Sequence, residues 1–97
     1  MGRTIHKFTL KRENSQQKWG FGVTGGNDVL LTFRVERVAL ASPAGAAGLK
    51  NLDYLIKVND TKVFDEKCML SHKELVQMIK NVSGDTLELE VERYIDI

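Results

Sequence analysis

An α+β fold, a small antiparallel β-barrel or sandwich of five to six strands with two helices, is predicted by three observations. Short runs of alternating apolar and polar residues recur along the chain, two segments carry the chemistry of helix starts, and turn residues separate the runs. At 97 residues the chain fits one domain and not two. A domain of that size buries a modest core without metals or disulfides.

The elements follow in order. In residues 4–10, His6, Phe8 and Leu10 share one face of a strand, and a polar loop runs from Lys11 to Lys18. Trp19, Phe21 and Val23 fall on one face of a second extended segment, with Gly20, Gly22 and Thr24 on the other, before a turn at Gly25-Gly26-Asn27-Asp28. Leu31, Phe33 and Val35 alternate with Thr32, Arg34 and Glu36 as a half-buried strand. Ser42 is placed to cap a short helix that begins at Pro43 and stops at Gly48. Tyr54 to Val58 reads as a fourth strand, turning at Asn59-Asp60 into a short one around Thr61–Val63. Ser71 and Glu74 have capping-box spacing, and Leu75, Val76 and Ile79 follow at helical spacing until Asn81 to Gly84 ends the helix. Leu87, Leu89 and Val91, alternating with Glu88, Glu90 and Glu92, make the last strand.

Composition narrows the function. The chain is 42% hydrophobic and 28% charged with a net charge of +1, so no overall pull toward nucleic acid is expected. Cys68 is the only cysteine, so no intrachain disulfide forms; inert packing is its expected role. No apolar run approaches the ~18 residues of a membrane span, and no signal-peptide pattern opens the chain. A cytoplasmic protein without membrane insertion is expected. With two histidines, one cysteine and no metal-ligand cluster, no enzyme, no metal site and no cofactor are expected.

Gly20-Phe21-Gly22-Val23-Thr24-Gly25 spells G-x-G-x-x-G, but a dinucleotide site needs a helix directly after it. A turn and a strand follow instead, so the string is a glycine-rich strand edge. Glycine weakens strands, and a common reason to keep it is the close approach of another backbone. Gly20 and Gly22 are expected to serve that purpose.

Together these residues resemble the PDZ domain family. Lys18-Trp19-Gly20-Phe21, followed by Gly22 to Gly26, is similar to the family's x-Φ-Gly-Φ loop and its strand ending in Gly-Gly (Φ apolar). Its Trp-Gly-Phe is similar to the PDZ domains of PDZ-LIM proteins. Ser42-Pro43-Ala44 to Gly48-Leu49 resembles the family's first helix, Asp53 to Asn59 its fourth strand, and Ser71-His72 through Lys80 its second helix. One position departs: the family's usual glycine before the aspartate is Leu52 here.

The resemblance implies a protein-binding scaffold or adaptor module that captures the free C-terminus of a partner by β-augmentation, a mode in which PDZ domains are a standing example. The loop Lys18, Trp19, Gly20 and Phe21 would hold the terminal carboxylate, with Phe21, Gly22, Val23 and Thr24 pairing with the peptide. Trp19, Phe21, Val23, Val76 and Ile79 would form the apolar pocket for the last side chain. His72 would face the third-from-last side chain and prefer Ser or Thr. The implied partners are C-terminal tails of membrane or cytoskeletal proteins, which would bring the module to membrane or cytoskeleton. The alternative is a module for internal motifs or lipid headgroups, with Lys11, Arg12 and Lys18 as the basic candidates.

The domain is expected to span residues 1–93. Tyr94-Ile95-Asp96-Ile97 is expected to be a tail: an internal segment of a longer chain, an addition to the natural chain, or a weak ligand for a neighbouring copy's groove. The starting Met and the close fit of domain to chain point to an excised fragment of a longer protein.

Overall fold

A computed structural model describes residues 2–26, 31–64 and 70–95. Cys68, the second half of the Gly25–Asp28 turn and the last two tail residues lie outside them.

The described elements are β1 (Gly2–Lys11), β2 (Gly22–Gly26), β3 (Leu31–Glu36), α1 (Pro43–Ala47), β4 (Tyr54–Val58), β5 (Thr61–Lys62), α2 (His72–Lys80) and β6 (Thr86–Ile95). The strands form one antiparallel sheet in the order β1-β6-β4-β3-β2, with β5 paired to β4. The sheet does not close into a barrel: β1 and β2 remain its two ends. The last strand is longer than the sequence pattern implied. Tyr94 and Ile95 pair with Arg3 and Gly2, so half of the expected tail is part of β6.

The alternating faces pack as their periodicity requires. Leu10, Phe33, Val35, Leu55, Val58, Leu87, Leu89 and Val91 are buried across the sheet, and Leu75 of α2 closes over them. Transfer of such aliphatic side chains from water contributes about 1.5–3 kcal/mol each. On β1 the inward set is His6, Phe8 and Leu10, while Ile5 is exposed.

Both helices start as their sequences specify. The Ser42 hydroxyl accepts from the Gly45 amide at 3.1 Å, and Gly48 ends α1 in the left-handed region at φ 98°. Ser71 and Glu74 form the full capping box, with the Ser71 amide donating to Glu74 Oε1 at 3.1 Å and the Glu74 amide to Ser71 Oγ at 3.2 Å.

Asp53 is a fully buried carboxylate at the start of β4. Arg93 of β6 grips it with two bonds of 2.8 Å, and the Lys50 amide donates to it at 3.1 Å. The hydrogen bond to Asp53 holds the Arg93 pKa above its ordinary value, against the opposing effect of burial and with the Asp53 charge adding to it. Before it, Leu52 takes the conformation of the glycine it replaces, with φ 72°. The turn survives because the Leu52 amide donates to the Val35 carbonyl at 2.7 Å.

Candidate functional site

Two adjacent elements frame a cleft of about 700 Å³: β2 with the loop before it, and α2. That volume lies within the range of small-ligand sites. Its walls include Lys18, Trp19, Gly20, Phe21, Gly22 and Val23 on one side and His72, Val76 and Ile79 on the other. The residues expected to hold a carboxylate, an apolar side chain and a hydroxyl are therefore brought together; Thr24 alone stands apart from the cleft.

The hydrogen-bond phase of the sheet decides what β2 offers. In an antiparallel ladder each residue points both backbone groups to one side, and the side alternates. Val35 spends its amide on the Asp53 carbonyl at 2.8 Å and its carbonyl on the Leu52 amide, so it faces β4. Val23, opposite Val35, therefore points its N–H and C=O away from β3, into the cleft. Gly22 and Thr24, opposite Glu36 and Arg34, turn theirs toward β3. The open edge is thus offered by Val23; beyond Thr24 the ladder shifts register, and the alternation does not carry through Gly25.

The preceding loop is pinned by its carbonyls. The Ala44 amide donates to the Trp19 carbonyl and the Ala39 amide to the Gly20 carbonyl, both at 2.9 Å. Among the described residues none accepts from the amides of Trp19, Gly20 or Phe21. Three neighbouring amides, two of them with their carbonyls tied back, are left as donors, a grouping of the kind that suits an anion.

Each of the two glycines also has a close neighbour within this chain. Gly20 has φ 91°, and a side chain there would collide with Ser42, the cap of α1. Gly22 has ordinary φ, but a Cβ would stand 2.6 Å from Nη2 of Arg37. Gly20 is thus required by its backbone conformation and by Ser42, while at Gly22 the space is taken by the flexible end of the Arg37 side chain.

Trp19 lies in the loop and is buried in the core, with the Arg12 guanidinium 4.3 Å from its ring centroid. Arg12 donates through Nη2 to the carbonyls of Val82 at 3.1 Å and Gly84 at 2.7 Å. It is turned inward, which removes it from the basic trio considered for lipid; Lys11 and Lys18 are exposed. Arg12, Arg37 and Lys80 line the cleft, as do Ser15 to Gln17 and Ala39. Of these only Lys80 is expected from the sequence, as part of the second helix; the others belong to no spaced pattern.

His72, the first residue of α2, sits across from β2 with Nδ1 3.2 Å from the Gly25 carbonyl. A carbonyl only accepts, so Nδ1 is the donor, and the neutral ring carries its acceptor lone pair on Nε2. Val76 and Ile79, one and two turns on, share that face of the helix.

The sequence profile of the PDZ domain matches residues 7–92. The chain belongs to the PDZ domain family. It is 34% identical over 77 residues to the PDZ and LIM domain protein Zasp of Drosophila melanogaster, covering 79% of this chain and 3% of that protein. It is 37% identical over 81 residues to the Na(+)/H(+) exchange regulatory cofactor NHE-RF2 of Oryctolagus cuniculus, covering 84% and 24%. This PDZ domain spans about a quarter or less of the length of these curated relatives. Its fold is shared with the PDZ domain of choanoflagellate SHANK1, solved bound to a GIRK3 peptide, at TM-score 0.79 and 24% identity over 98% of each chain. The PDZ domain is a protein-interaction module. Among the described residues no helix is long and apolar enough to cross a membrane, and no cluster of His, Cys, Asp and Glu is suited to a metal.

Proposed function

We propose that this PDZ domain captures the free C-terminus of partner proteins as an added strand between β2 and α2. The observation that carries this reading is the ladder phase: Val23 turns an unshared N–H and C=O into a cleft walled by α2. A strand laid there antiparallel to β2 brings its last residue to the Trp19–Phe21 amides. Charge-assisted bonds from those amides contribute about 1.5–3 kcal/mol each when well formed. The last side chain, apolar, enters between Phe21, Val23, Val76 and Ile79. The third-from-last side chain, two residues back on the same face, meets His72, whose Nε2 accepts from Ser or Thr. Lys18 adds a screened attraction. Less ordering costs, the affinity is about micromolar. That the SHANK1 PDZ domain, of the same fold, was solved bound to a peptide supports a peptide as the ligand.

The partners proposed are tails of membrane or cytoskeletal proteins, met in the cytoplasm, in keeping with relatives named as a PDZ and LIM domain protein and as a regulatory cofactor of Na(+)/H(+) exchange.

Fluorescence polarisation with labelled octapeptides ending in Thr-Ala-Val tests both halves. Amidation of the terminus is expected to abolish binding, and Thr→Val at the third-from-last position to weaken it about tenfold, as for one lost buried hydrogen bond. Equal binding of the amidated peptide would rule out terminal capture. Equal binding of the Val peptide would remove His72 from the specificity.

A further inference from the structure

Gly22 raises a question that terminal capture leaves unanswered. Its φ is ordinary, so it is not kept for a turn. The space a side chain would fill holds a guanidinium instead: a Cβ would stand 2.6 Å from Nη2 and 3.1 Å from Nε of Arg37. Arg37 follows β3 with φ 54°, a left-handed conformation that is costly for a residue with a Cβ. The chain thus carries a strained arginine and a glycine in contact, beside the open edge of β2.

Resting on the reading of terminal capture, we propose that Arg37 contacts the penultimate side chain of the bound tail and selects an acidic residue there. Side chains alternate across a strand, and directly opposed residues of an antiparallel pair point to the same face. Val23 points into the core, so Gly22 belongs to the opposite face. A tail whose last and third-from-last side chains turn toward α2 must turn its penultimate side chain to the Gly22 face. Arg37 occupies that face and also lines the cleft.

The charge balance favours an acid. The cleft's described lining includes Arg12, Lys18, Arg37 and Lys80 and no carboxylate. Arg12 is already engaged by two carbonyls. Among the described residues the ion pairs are Arg3–Glu92, Arg12–Asp85, Arg34–Glu36 and Arg93–Asp53, and none uses Arg37. The nearest acid in sequence, Glu36, is paired with Arg34 at 3.7 Å.

The test uses labelled octapeptides ending Ala-Thr-X-Val, with X as Glu, Gln or Lys, measured by polarisation at 50 mM and 500 mM NaCl. The Glu peptide is expected to bind about threefold tighter than Gln at low salt, the scale of an exposed ion pair, and Lys weaker than Gln. High salt narrows the spread. The Gln-to-Glu ratio should fall to about one in Arg37→Gln and in Gly22→Ala, which displaces the guanidinium, and be retained in part in Arg37→Lys. Because the readout is a ratio within each variant, a general loss of affinity does not mimic it. A ratio of one in the parent domain, or one unchanged in Arg37→Gln, overturns the role of Arg37 and leaves terminal capture standing. Failure of all three peptides, or equal binding of their amidated forms, overturns terminal capture and this inference with it.

Discussion

Leu52 holds a left-handed backbone (φ 72°) that an L-residue adopts at a cost of about 1–2 kcal/mol, and its side chain is 61% exposed, so little burial offsets the strain. The turn is nevertheless fixed, because the Leu52 amide is bonded to Val35 and the next residue is the buried Asp53. Leu52→Gly is therefore expected to stabilise the domain by about 0.5–1 kcal/mol, after the extra entropy glycine loses on folding. Urea denaturation checks this; an unchanged or lower midpoint would mean that the Leu52 side chain makes a contribution larger than its exposure indicates. The departure from the family pattern was visible in the sequence as Leu before Asp. Its consequence was not, since a left-handed φ follows from the surrounding hydrogen bonds and not from the residue. The same limit applies to Gly22 and Arg37, whose contact joins positions fifteen apart across a strand pair.

Among the elements, β1, the loop before β2 and the turn before β6 meet at Arg12. Its guanidinium lies over the Trp19 ring and its Nη2 donates to the carbonyls of Val82 and Gly84 in the turn before β6. Its Nε is buried without a hydrogen-bond partner among the described residues, with Asp85 3.7 Å away. Arg12→Ala is expected to cost about 2–3 kcal/mol, from hydrogen bonds to a charged donor and a lost cation–π contact. Arg12→Lys should recover less than half of it, because an ammonium cannot stack and cap in one plane. A loss below about 0.5 kcal/mol for Arg12→Ala would show that the three elements are held by their apolar contacts alone. Strands, helix caps and inward faces were legible because each is written in a local period or a cap spacing, as with Phe33 and Val35 or Ser71 and Glu74. In the sequence Arg12 is legible only as a charge, and by charge alone it belongs with Lys11 and Lys18. What separates it from them is Trp19 and the turn before β6, brought up by the β1–β6 pairing.

At the scale of the whole molecule, an open sheet ending on β2 leaves backbone groups that a closed barrel would have paired, and such edges invite another strand. The amides of the Trp19–Phe21 loop and the Val23 edge belong to the folded state only, because the sheet phase and the tied-back carbonyls create them. A ligand using them must therefore stabilise the fold by mass action. At a hundred times its Kd a free-carboxylate peptide ending in Thr-Ala-Val contributes about 2.7 kcal/mol. For a domain of this length that raises Tm by about 10–20 °C, at 4–8 °C per kcal/mol. The same peptide amidated at its terminus loses the charge that the loop amides hold, and is expected to leave Tm unchanged at equal concentration. Calorimetry on the two complexes separates the sources of the binding energy. Equal shifts would mean that the strand edge and the apolar pocket hold the tail without the loop, and that the amides of Trp19, Gly20 and Phe21 serve the fold and not the ligand.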